Sequence, residues 1–202
     1  MATAFLMIDI QNDFCPGGAL AVNEGDQIIT TVNALQDRFD VRVLTQDWHP
    51  TDHSSFADQH DGAEPFQVIQ ASYGPQVLWP RHCVQGTKGA EFHSGLRTNA
   101  DLIIRKGFRR DIDSYSAFFE NDKTTPTGLT GYLRERGVDA VVLAGLATDF
   151  CVYYSAIDAV AQGFNATVLQ DCSRAIDLDG SLAAAVDDMA AKGVGLTDSD
   201  NL

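Results

Sequence analysis

Short apolar runs alternate along the chain with segments in which apolar residues recur at helical spacing. Continuous apolar runs of this kind are typical of strands buried on both faces, whereas a 3.6-residue period indicates an amphipathic helix. The predicted strands are residues 4–10, 41–47, 100–106, 139–145, 166–170 and 194–197. The predicted helices are residues 26–39, 127–136, 151–162 and 181–192. This order predicts an α/β fold, a three-layer, doubly wound and mainly parallel six-stranded sheet flanked by helices.

Residues 48–98 interrupt this alternation. The stretch is rich in His, Gly, Pro, Ser and Gln and shows little hydrophobic periodicity. An irregular segment of this length is uncommon inside a compact domain unless it carries function. We therefore interpret it as a loop region that binds metal and substrate. A length of 202 residues suits one domain, and we expect residues 1–202 to form it.

Acidic residues outnumber basic ones two to one, with 28 Asp and Glu against 14 Lys and Arg. The formal net charge of -14 argues against nucleic acid or an anionic membrane surface as a partner, because both need clustered Lys and Arg. No apolar stretch approaches the roughly 20 residues of a membrane span. The N-terminal segment does not resemble a secretion signal, since Asp9 interrupts its apolar run. We expect a cytoplasmic protein with reduced cysteines.

Three chemically active side chains fall at predicted strand ends, where parallel sheets bind their ligands. Asp9 ends the first strand, Lys106 ends the third, and Cys151 begins the helix after the fourth. The N–H groups of a helix N-terminus and a nearby Lys favour a thiolate, and an Asp within reach can accept the thiol proton. These residues form a candidate nucleophilic triad. A structural alternative explains the same spacing equally well. In it, the Cys is simply buried, the Asp caps a turn and the Lys has a buried stem.

A second group of residues has the composition of a metal site. Asp47 and His49 are two residues apart at a strand end, so their side chains point the same way, and His53 and His82 follow in the irregular region. One carboxylate and two or three imidazoles suit Zn, Fe(II) or Mn(II), with water in the open positions. The alternative is that these are ordinary loop histidines.

Several cofactor motifs are absent from the sequence. No G-x-G-x-x-G follows the first strand, no P-loop spacing occurs and there is no G-x-S-x-G. We therefore expect no nucleotide cofactor. Phe14, Trp79 and Tyr115 lie near the predicted strand ends in sequence, where they can form the walls of a pocket for a flat aromatic substrate, although aromatic residues more often pack a core.

Five strings of this sequence occur in the same order in the nicotinamidase/pyrazinamidase family of isochorismatase-like cysteine hydrolases. They are DIQNDF (9–14), DWHP (47–50), WPRHCV (79–84), KG (106–107) and GLATDFCV (145–152). The similarity extends over residues 4–197. Asp9, Lys106 and Cys151 match residues that are common to the whole superfamily. The strings DWHP and WPRHCV point more narrowly to its nicotinamidase branch.

The resemblance implies the isochorismatase-like hydrolase fold and hydrolysis of nicotinamide, and of pyrazinamide, to the acid and ammonia in NAD salvage. By resemblance, Cys151 is the nucleophile that forms a thioacyl intermediate, Asp9 the general base and Lys106 the positioning cation. The backbone N–H groups of Ala147 and Cys151 stabilise the oxyanion. The resemblance also implies a cis peptide bond between Leu146 and Ala147.

The same resemblance implies one divalent metal ion, Zn first and Fe or Mn as alternatives, which holds the ring nitrogen of nicotinamide. The implied ligands are Asp47, His49 and His82, with His53 matching an additional ligand of only some members. Phe14 and Trp79 match the residues that sandwich the ring. Family members usually have a Ser or Glu near this site, and Ser54, Ser55 and Glu64 are the candidates. Homo-oligomerisation stays open.

Two other functions compete with nicotinamide hydrolysis. One is a sister cysteine hydrolase that acts on another small amide or carbamoyl group. The other is a non-catalytic module that binds a small molecule on the same fold. The intact set Asp47, His49 and His82 favours nicotinamide hydrolysis over the first alternative, and the retained Asp9, Lys106 and Cys151 argue against the second.

Overall fold

A parallel six-stranded sheet forms the centre of the protein in the computed structural model, which describes residues 2–202. The strands of this sheet are β1 (Ala2–Ile8), β2 (Val41–Asp47), β5 (Leu102–Lys106), β6 (Val138–Leu146), β7 (Asn165–Arg174) and β8 (Gly195–Thr197). Two further strands, β3 (Val68–Ala71) and β4 (Gly74–Val77), pair with each other as an antiparallel hairpin. The order in the large sheet is β5-β2-β1-β6-β7-β8, and all of its neighbours are parallel.

The central strand β1 buries both of its faces. Leu6 and Ile8 belong to one hydrophobic cluster and Phe5 and Met7 to another, and all four side chains are fully buried. Alternation of side chains along a strand places these two sets on opposite faces of the sheet. A strand buried on both faces needs a continuous apolar run, which is why the run in the sequence identified it.

Helices cover both faces of the sheet. The four helices are α1 (Ile29–Leu35), α2 (Leu129–Glu135), α3 (Tyr153–Ala161) and α4 (Ser181–Ala191). Residues of α1 pack in the cluster of Phe5 and Met7, whereas residues of α2, α3 and α4 pack in the cluster of Leu6 and Ile8. The predicted three-layer α/β class is confirmed. None of the helices within residues 2–202 is both long and apolar enough to cross a membrane.

The strand order reverses direction between β1 and β6. From β1 the chain adds β2 and β5 on one side, then returns beside β1 with β6 and adds β7 and β8 on the other side. Backbones approach closely here, since a Cβ at Gly145 would lie 2.1 Å from the Ile8 carbonyl oxygen. Such a switch point opens a crevice at the carboxyl ends of the strands, where ligands bind in α/β proteins.

The bounds of several predicted elements shift by a few residues: β1 ends at Ile8 and not at residue 10, and the helix predicted over residues 26–39 is α-helical only over Ile29–Leu35. Two differences are larger. Residues 48–98 are not uniformly irregular, because they contain the β3–β4 hairpin. Its residues are mostly exposed or half-buried, so no buried apolar pattern marked them as strands. The helix predicted from Cys151 begins instead at Tyr153, after a π-helical turn formed by Thr148–Val152.

Truncation of Leu6 to Ala should lower the free energy of unfolding by about 2–5 kcal/mol, because it leaves a cavity in the central strand. Ile103→Ala on the edge strand β5 is the matched control. Ile103 is 47% exposed, so a loss below about 1 kcal/mol is expected. Urea unfolding followed by circular dichroism measures both, and equal losses would contradict the assignment of β1 to the core.

Candidate active site

The buried ammonium group of Lys106 lies at the centre of the site. Its Nζ is 2.7 Å from Asp9 Oδ2 and 3.4 Å from Cys151 Sγ, and it also contacts Asp47 Oδ1. It donates a hydrogen bond of 2.9 Å to the Ser114 carbonyl. The structure thus brings together the three residues of the predicted triad, and it places Asp47 beside them.

Asp47 and Lys106 hold each other in their charged forms, whereas Asp9 does not follow this pattern. Burial alone would lower the pKa of Lys106, but Asp47 and Asp9 raise this pKa well above its ordinary value. Burial would raise the pKa of Asp47, but Lys106 and His49 hold it well below its ordinary value. For Asp9 the effect of burial prevails, so its pKa is raised although Lys106 opposes the shift. Asp9 is therefore the more basic of the two carboxylates.

Cys151 is a buried thiol beside a carboxylate. Burial raises its pKa well above the ordinary value, the charge of Lys106 opposes this shift, and Asp9 and Asp47 add to it. These shifts oppose the thiolate that the sequence argument favoured. The sequence argument considered the helix terminus and the Lys, but it omitted the cost of removing a thiolate from water next to two carboxylates.

Asp9 follows β1 and has a positive φ of 47°. Its backbone N–H donates to Thr45 Oγ1 at 3.1 Å, and the Thr45 hydroxyl donates to Asp9 Oδ1 at 2.6 Å. Sequence reasoning missed Thr45. Its hydroxyl is fully buried, but β2 also carries Arg42, Gln46 and Asp47, so no pattern in the sequence singles out Thr45.

The peptide bond between Leu146 and Ala147 is cis, as the resemblance implied. The Ala147 carbonyl accepts hydrogen bonds from the N–H groups of Phe150 and Val152, each at 3.1 Å. Ala147 and Cys151 both line the same cavity. Ala147 immediately precedes the π-helical turn and Cys151 lies within it, at the end of the sheet where the crevice opens.

Asp47, His49 and His82 offer one ligand atom each within 4.8 Å of one another. The Nε2 atoms of His49 and His82 face Asp47 Oδ2 at 3.4 and 3.7 Å. Their Nδ1 atoms lie 2.9 Å and 2.8 Å from the carbonyls of Gly107 and Pro80. A carbonyl partner at Nδ1 leaves Nε2 free to coordinate, and a carboxylate with two imidazoles suits a divalent first-row metal ion. The residues present fit such an ion.

His53 lies beside this group and belongs to a different combination. With His49 and Asp113 it forms a second set of three close ligand atoms. Its Nδ1 is 2.7 Å from Ser55 Oγ and its Nε2 is 3.3 Å from the Ile112 carbonyl. Both ring nitrogens thus have protein partners, and ligation by His53 stays a prediction.

The three candidates for a Ser or Glu near the site differ in burial. Ser55 is buried and contacts His53, Ser54 is half-buried, and Glu64 is exposed. Ser55 is therefore the candidate that the structure places deepest beside the histidines.

A cavity of about 330 Å³, including its open mouth, lies over Cys151. The aromatic residues Phe14, Trp79 and Tyr115 line it, as their positions in the sequence suggested. Asp47, His82, Ala147 and Cys151 line it too, and sequence reasoning had not singled out Leu20, Asp113, Phe150 and Ile176. Mostly apolar walls with a few polar groups at one end suit a small flat ring that carries a polar substituent.

Phe150 and Asp113, two of the cavity residues that sequence reasoning missed, differ in whether the sequence points to them. Phe150 lies within the GLATDFCV string and packs edge-on against Trp79, with ring centroids 4.9 Å apart. Asp113 lies in a segment without helix or strand, and no periodic pattern leads to it.

Comparison with known proteins gives consistent matches over nearly the whole chain. The isochorismatase domain matches residues 3–201. A nicotinamidase of Acinetobacter baylyi is 56% identical over 200 residues, which are 98% of this chain and 94% of that protein. The structure of an Acinetobacter baumanii nicotinamidase pyrazinamidease is 55% identical, with a TM-score of 0.98 and coverage of 99% of this chain and 97% of the other.

Two similar structures contain ligands. PnC1 from L. infantum in complex with nicotinate is 38% identical, with a TM-score of 0.86, and the match covers 98% of this chain and 93% of the other. The pyrazinamidase of Pyrococcus horikoshii in complex with zinc is 36% identical, with a TM-score of 0.79, and the match covers 98% and 99%.

Substitution of His49 by Ala should lower the content of bound divalent metal at least tenfold, since it removes one of three clustered ligand atoms. Metal analysis of the purified protein by mass spectrometry measures the content. His93→Ala, which changes a histidine outside the clustered ligand atoms, should retain the wild-type content. Full metal content in His49→Ala would contradict the ligand assignment.

Gly107→Ala should weaken metal binding about tenfold or more without removing a ligand. Gly107 has a φ of +65°, and a Cβ there would lie 2.4 Å from His49 Cε1, so the imidazole must move. Competition with a metal chelator measures the affinity. Gly131→Ala in α2, where a Cβ meets nothing within 4 Å, is the matched control and should leave the affinity unchanged.

Proposed function

The chain belongs to the isochorismatase family, and we propose that it hydrolyses nicotinamide to nicotinate and ammonia and accepts pyrazinamide as well. One observation carries the proposal. The thiol of Cys151 contacts a Lys106–Asp9 ion pair at the floor of an aromatic-lined cavity whose other polar end is a carboxylate–imidazole group. A nucleophile at one end and a metal-binding group at the other match a flat ring that carries a carboxamide.

In the first half of the reaction, Cys151 attacks the carboxamide carbon. The thiol proton passes to Asp9, whose raised pKa makes it the better base of the two carboxylates at the site. A bond between Sγ and the carbonyl carbon forms, and the C–N bond then breaks as the amide nitrogen takes the proton from Asp9 and leaves as ammonia. The product of this half is a thioacyl-enzyme on Cys151.

In the second half, water hydrolyses the thioacyl-enzyme. Asp9 accepts a proton from the attacking water, the new C–O bond forms, and the C–S bond breaks as Cys151 regains its proton. Lys106 keeps Asp9 in position and supplies a fixed positive charge next to both carboxylates and the sulfur. Because its pKa is raised well above the ordinary value, Lys106 acts as a cation and not as a proton donor.

The backbone N–H groups of Ala147 and Cys151 are the proposed donors to the oxyanion of each tetrahedral intermediate. Donors that are fixed in place before the reaction stabilise developing charge without reorganisation. The π-helical turn, which Ala147 immediately precedes and which contains Cys151, sets the positions of these two groups.

Phe14 and Trp79 are the proposed walls on the two faces of the substrate ring. Asp47, His49 and His82 would hold a divalent ion, with zinc as the first candidate, and such an ion would supply a Lewis acid for the ring nitrogen. Buried His and Asp side chains arranged around that end of the cavity orient the ring, so that its carboxamide lies near Cys151.

An ammonia-release assay tests the function. Purified protein is offered nicotinamide, pyrazinamide and a carbamoyl compound such as N-carbamoylsarcosine, each with and without a metal chelator. Turnover of the two ring amides, lost on chelation, is the expected result. Preference for the carbamoyl compound would favour the sister hydrolase, and release of ammonia from none of them would favour a binding module.

Cys151→Ala should lower ammonia release from nicotinamide at least about 1000-fold, because it removes the attacking atom, while the metal content stays near that of the wild type. Cys172→Ala is the matched control, since Cys172 is also a free, buried cysteine but does not line the cavity. Near-wild-type turnover by Cys151→Ala would show that another group is the nucleophile.

A further inference from the structure

Gln11 is a buried polar residue that the proposed chemistry does not use. It belongs to the DIQNDF string, two residues after Asp9, and its exposed fraction is 0%. Its Oε1 accepts a hydrogen bond of 2.8 Å from the backbone N–H of Asp47. Its Nε2 donates a hydrogen bond of 2.8 Å to the Asp47 carbonyl. One side-chain amide thus binds both backbone groups of Asp47, whose carboxylate belongs to both chemical groups of the site.

The neighbours of Gln11 determine the orientation of its amide. The second hydrogen of Nε2 goes to the Ala90 carbonyl at 2.9 Å. The carbonyls of Asp47 and Ala90 only accept hydrogen bonds and the Asp47 N–H only donates one, so Oε1 and Nε2 cannot exchange places. Both hydrogens of Nε2 are used, and Oε1 accepts the Asp47 N–H. The amide of Gln11 is therefore committed to the backbone of Asp47 and to the segment that contains Ala90.

The Gln11 amide replaces strand pairing that β1 does not make. The backbone pairing of β1 with β2 ends at Leu44, three residues before Asp47. Residues 10–13 leave β2 and pair instead with residues 89–93. The backbone of β1 therefore does not extend to Asp47, whose buried N–H and C=O groups need partners. The side chain of Gln11 supplies a partner for each of them.

The position of the Asp47 backbone matters to both chemical groups of the site. Oδ1 of Asp47 contacts Lys106, and Oδ2 faces Nε2 of His49 at 3.4 Å and Nε2 of His82 at 3.7 Å. Both oxygens lie on one short side chain, so a shift of the Asp47 backbone displaces them together. Loss of a partner that holds a metal ligand in place commonly weakens metal binding about 10- to 100-fold.

We propose that Gln11 is a positioning residue that fixes the backbone of Asp47 and thereby sets the affinity of the site for a divalent metal ion. Gln11 acts through Asp47 and does not coordinate the ion, because its oxygen and both of its N–H groups are bound to backbone. The inference rests on the metal ligands of the proposed function and not on its substrate. The same amide joins the segment that carries Asp9 to the metal-binding group.

The zinc affinity of the metal-free protein tests the proposal, measured by competition with a chromophoric chelator. Gln11→Met keeps nearly the length of the side chain but makes none of the three hydrogen bonds of the amide. Its Kd for zinc should rise at least about tenfold, because Asp47 is no longer held where it faces the histidines. An unchanged Kd would overturn the proposal.

Gln46→Met is the matched control. Gln46 is also buried and its Nε2 donates to the same Ala90 carbonyl at 2.9 Å, but its Oε1 accepts from Arg105 and not from Asp47. The Kd of this variant for zinc should stay within about twofold of the wild type, since the backbone of Asp47 keeps its partner. An equal rise in Gln11→Met and Gln46→Met would show a general effect of losing a buried amide and would overturn the proposal.

A second variant covers a folding defect. If circular dichroism shows that Gln11→Met does not fold, Gln11→Glu replaces it. A carboxylate still accepts the Asp47 N–H but cannot donate to the carbonyls of Asp47 and Ala90, so the Kd for zinc should again rise at least about tenfold. Wild-type affinity in Gln11→Glu would overturn the proposal, and so would a wild type that binds no zinc.

The zinc measurement does not depend on catalysis, so it separates this proposal from the proposed function. A wild type that releases no ammonia from nicotinamide refutes the proposed function. If that protein still binds zinc about tenfold more tightly than Gln11→Met does, the role of Gln11 stands.

Discussion

The ammonium group of Lys106, buried without access to water, is the constraint around which the site is built. Removal of an ammonium group from water costs several kcal/mol unless charges and hydrogen bonds compensate. Asp9, Asp47 and the Ser114 carbonyl provide that compensation. The register of the sheet makes this possible, because Asp47 and Lys106 are direct partners across β2 and β5. Loss of one member of a buried ion pair leaves the other charge uncompensated, at a cost of about 3–5 kcal/mol, so these positions depend on one another.

The same ion pairs connect the two chemical halves of the site. Asp47 directs Oδ1 to Lys106 and Oδ2 to the histidines, so one carboxylate belongs to both the nucleophilic group and the metal-binding group. Asp9, the proposed acceptor of the thiol proton, contacts Lys106 as well. The separation between the sulfur and the imidazoles is thereby set by short, buried contacts, and the cavity between them has room for a single ring.

The walls of the cavity come from a different part of the chain. Trp79 belongs to the irregular region, Tyr115 to the segment after β5, and Phe150 to the turn after β6, and they meet edge-on at centroid distances of 4.9 to 6.2 Å. Loops that a rigid sheet positions often carry binding residues. Here the β3–β4 hairpin adds a second level of support, because Gln76 in β4 donates a hydrogen bond to Asp113 in the segment that carries Tyr115.

The sequence by itself determined the parallel sheet, because strands buried on both faces require continuous apolar runs, and it determined that Asp9, Lys106 and Cys151 lie at one edge, because the carboxyl ends of parallel strands meet there. Local spacing also paired Asp47 with His49. Only the tertiary structure decided the rest. The β3–β4 hairpin buries too little to leave a hydrophobic pattern, and Thr45 and Asp113 act through partners distant in sequence. Burial beside two carboxylates raises the pKa of the Cys151 thiol more than one ammonium group lowers it, and burial depends on every segment that packs around the sulfur.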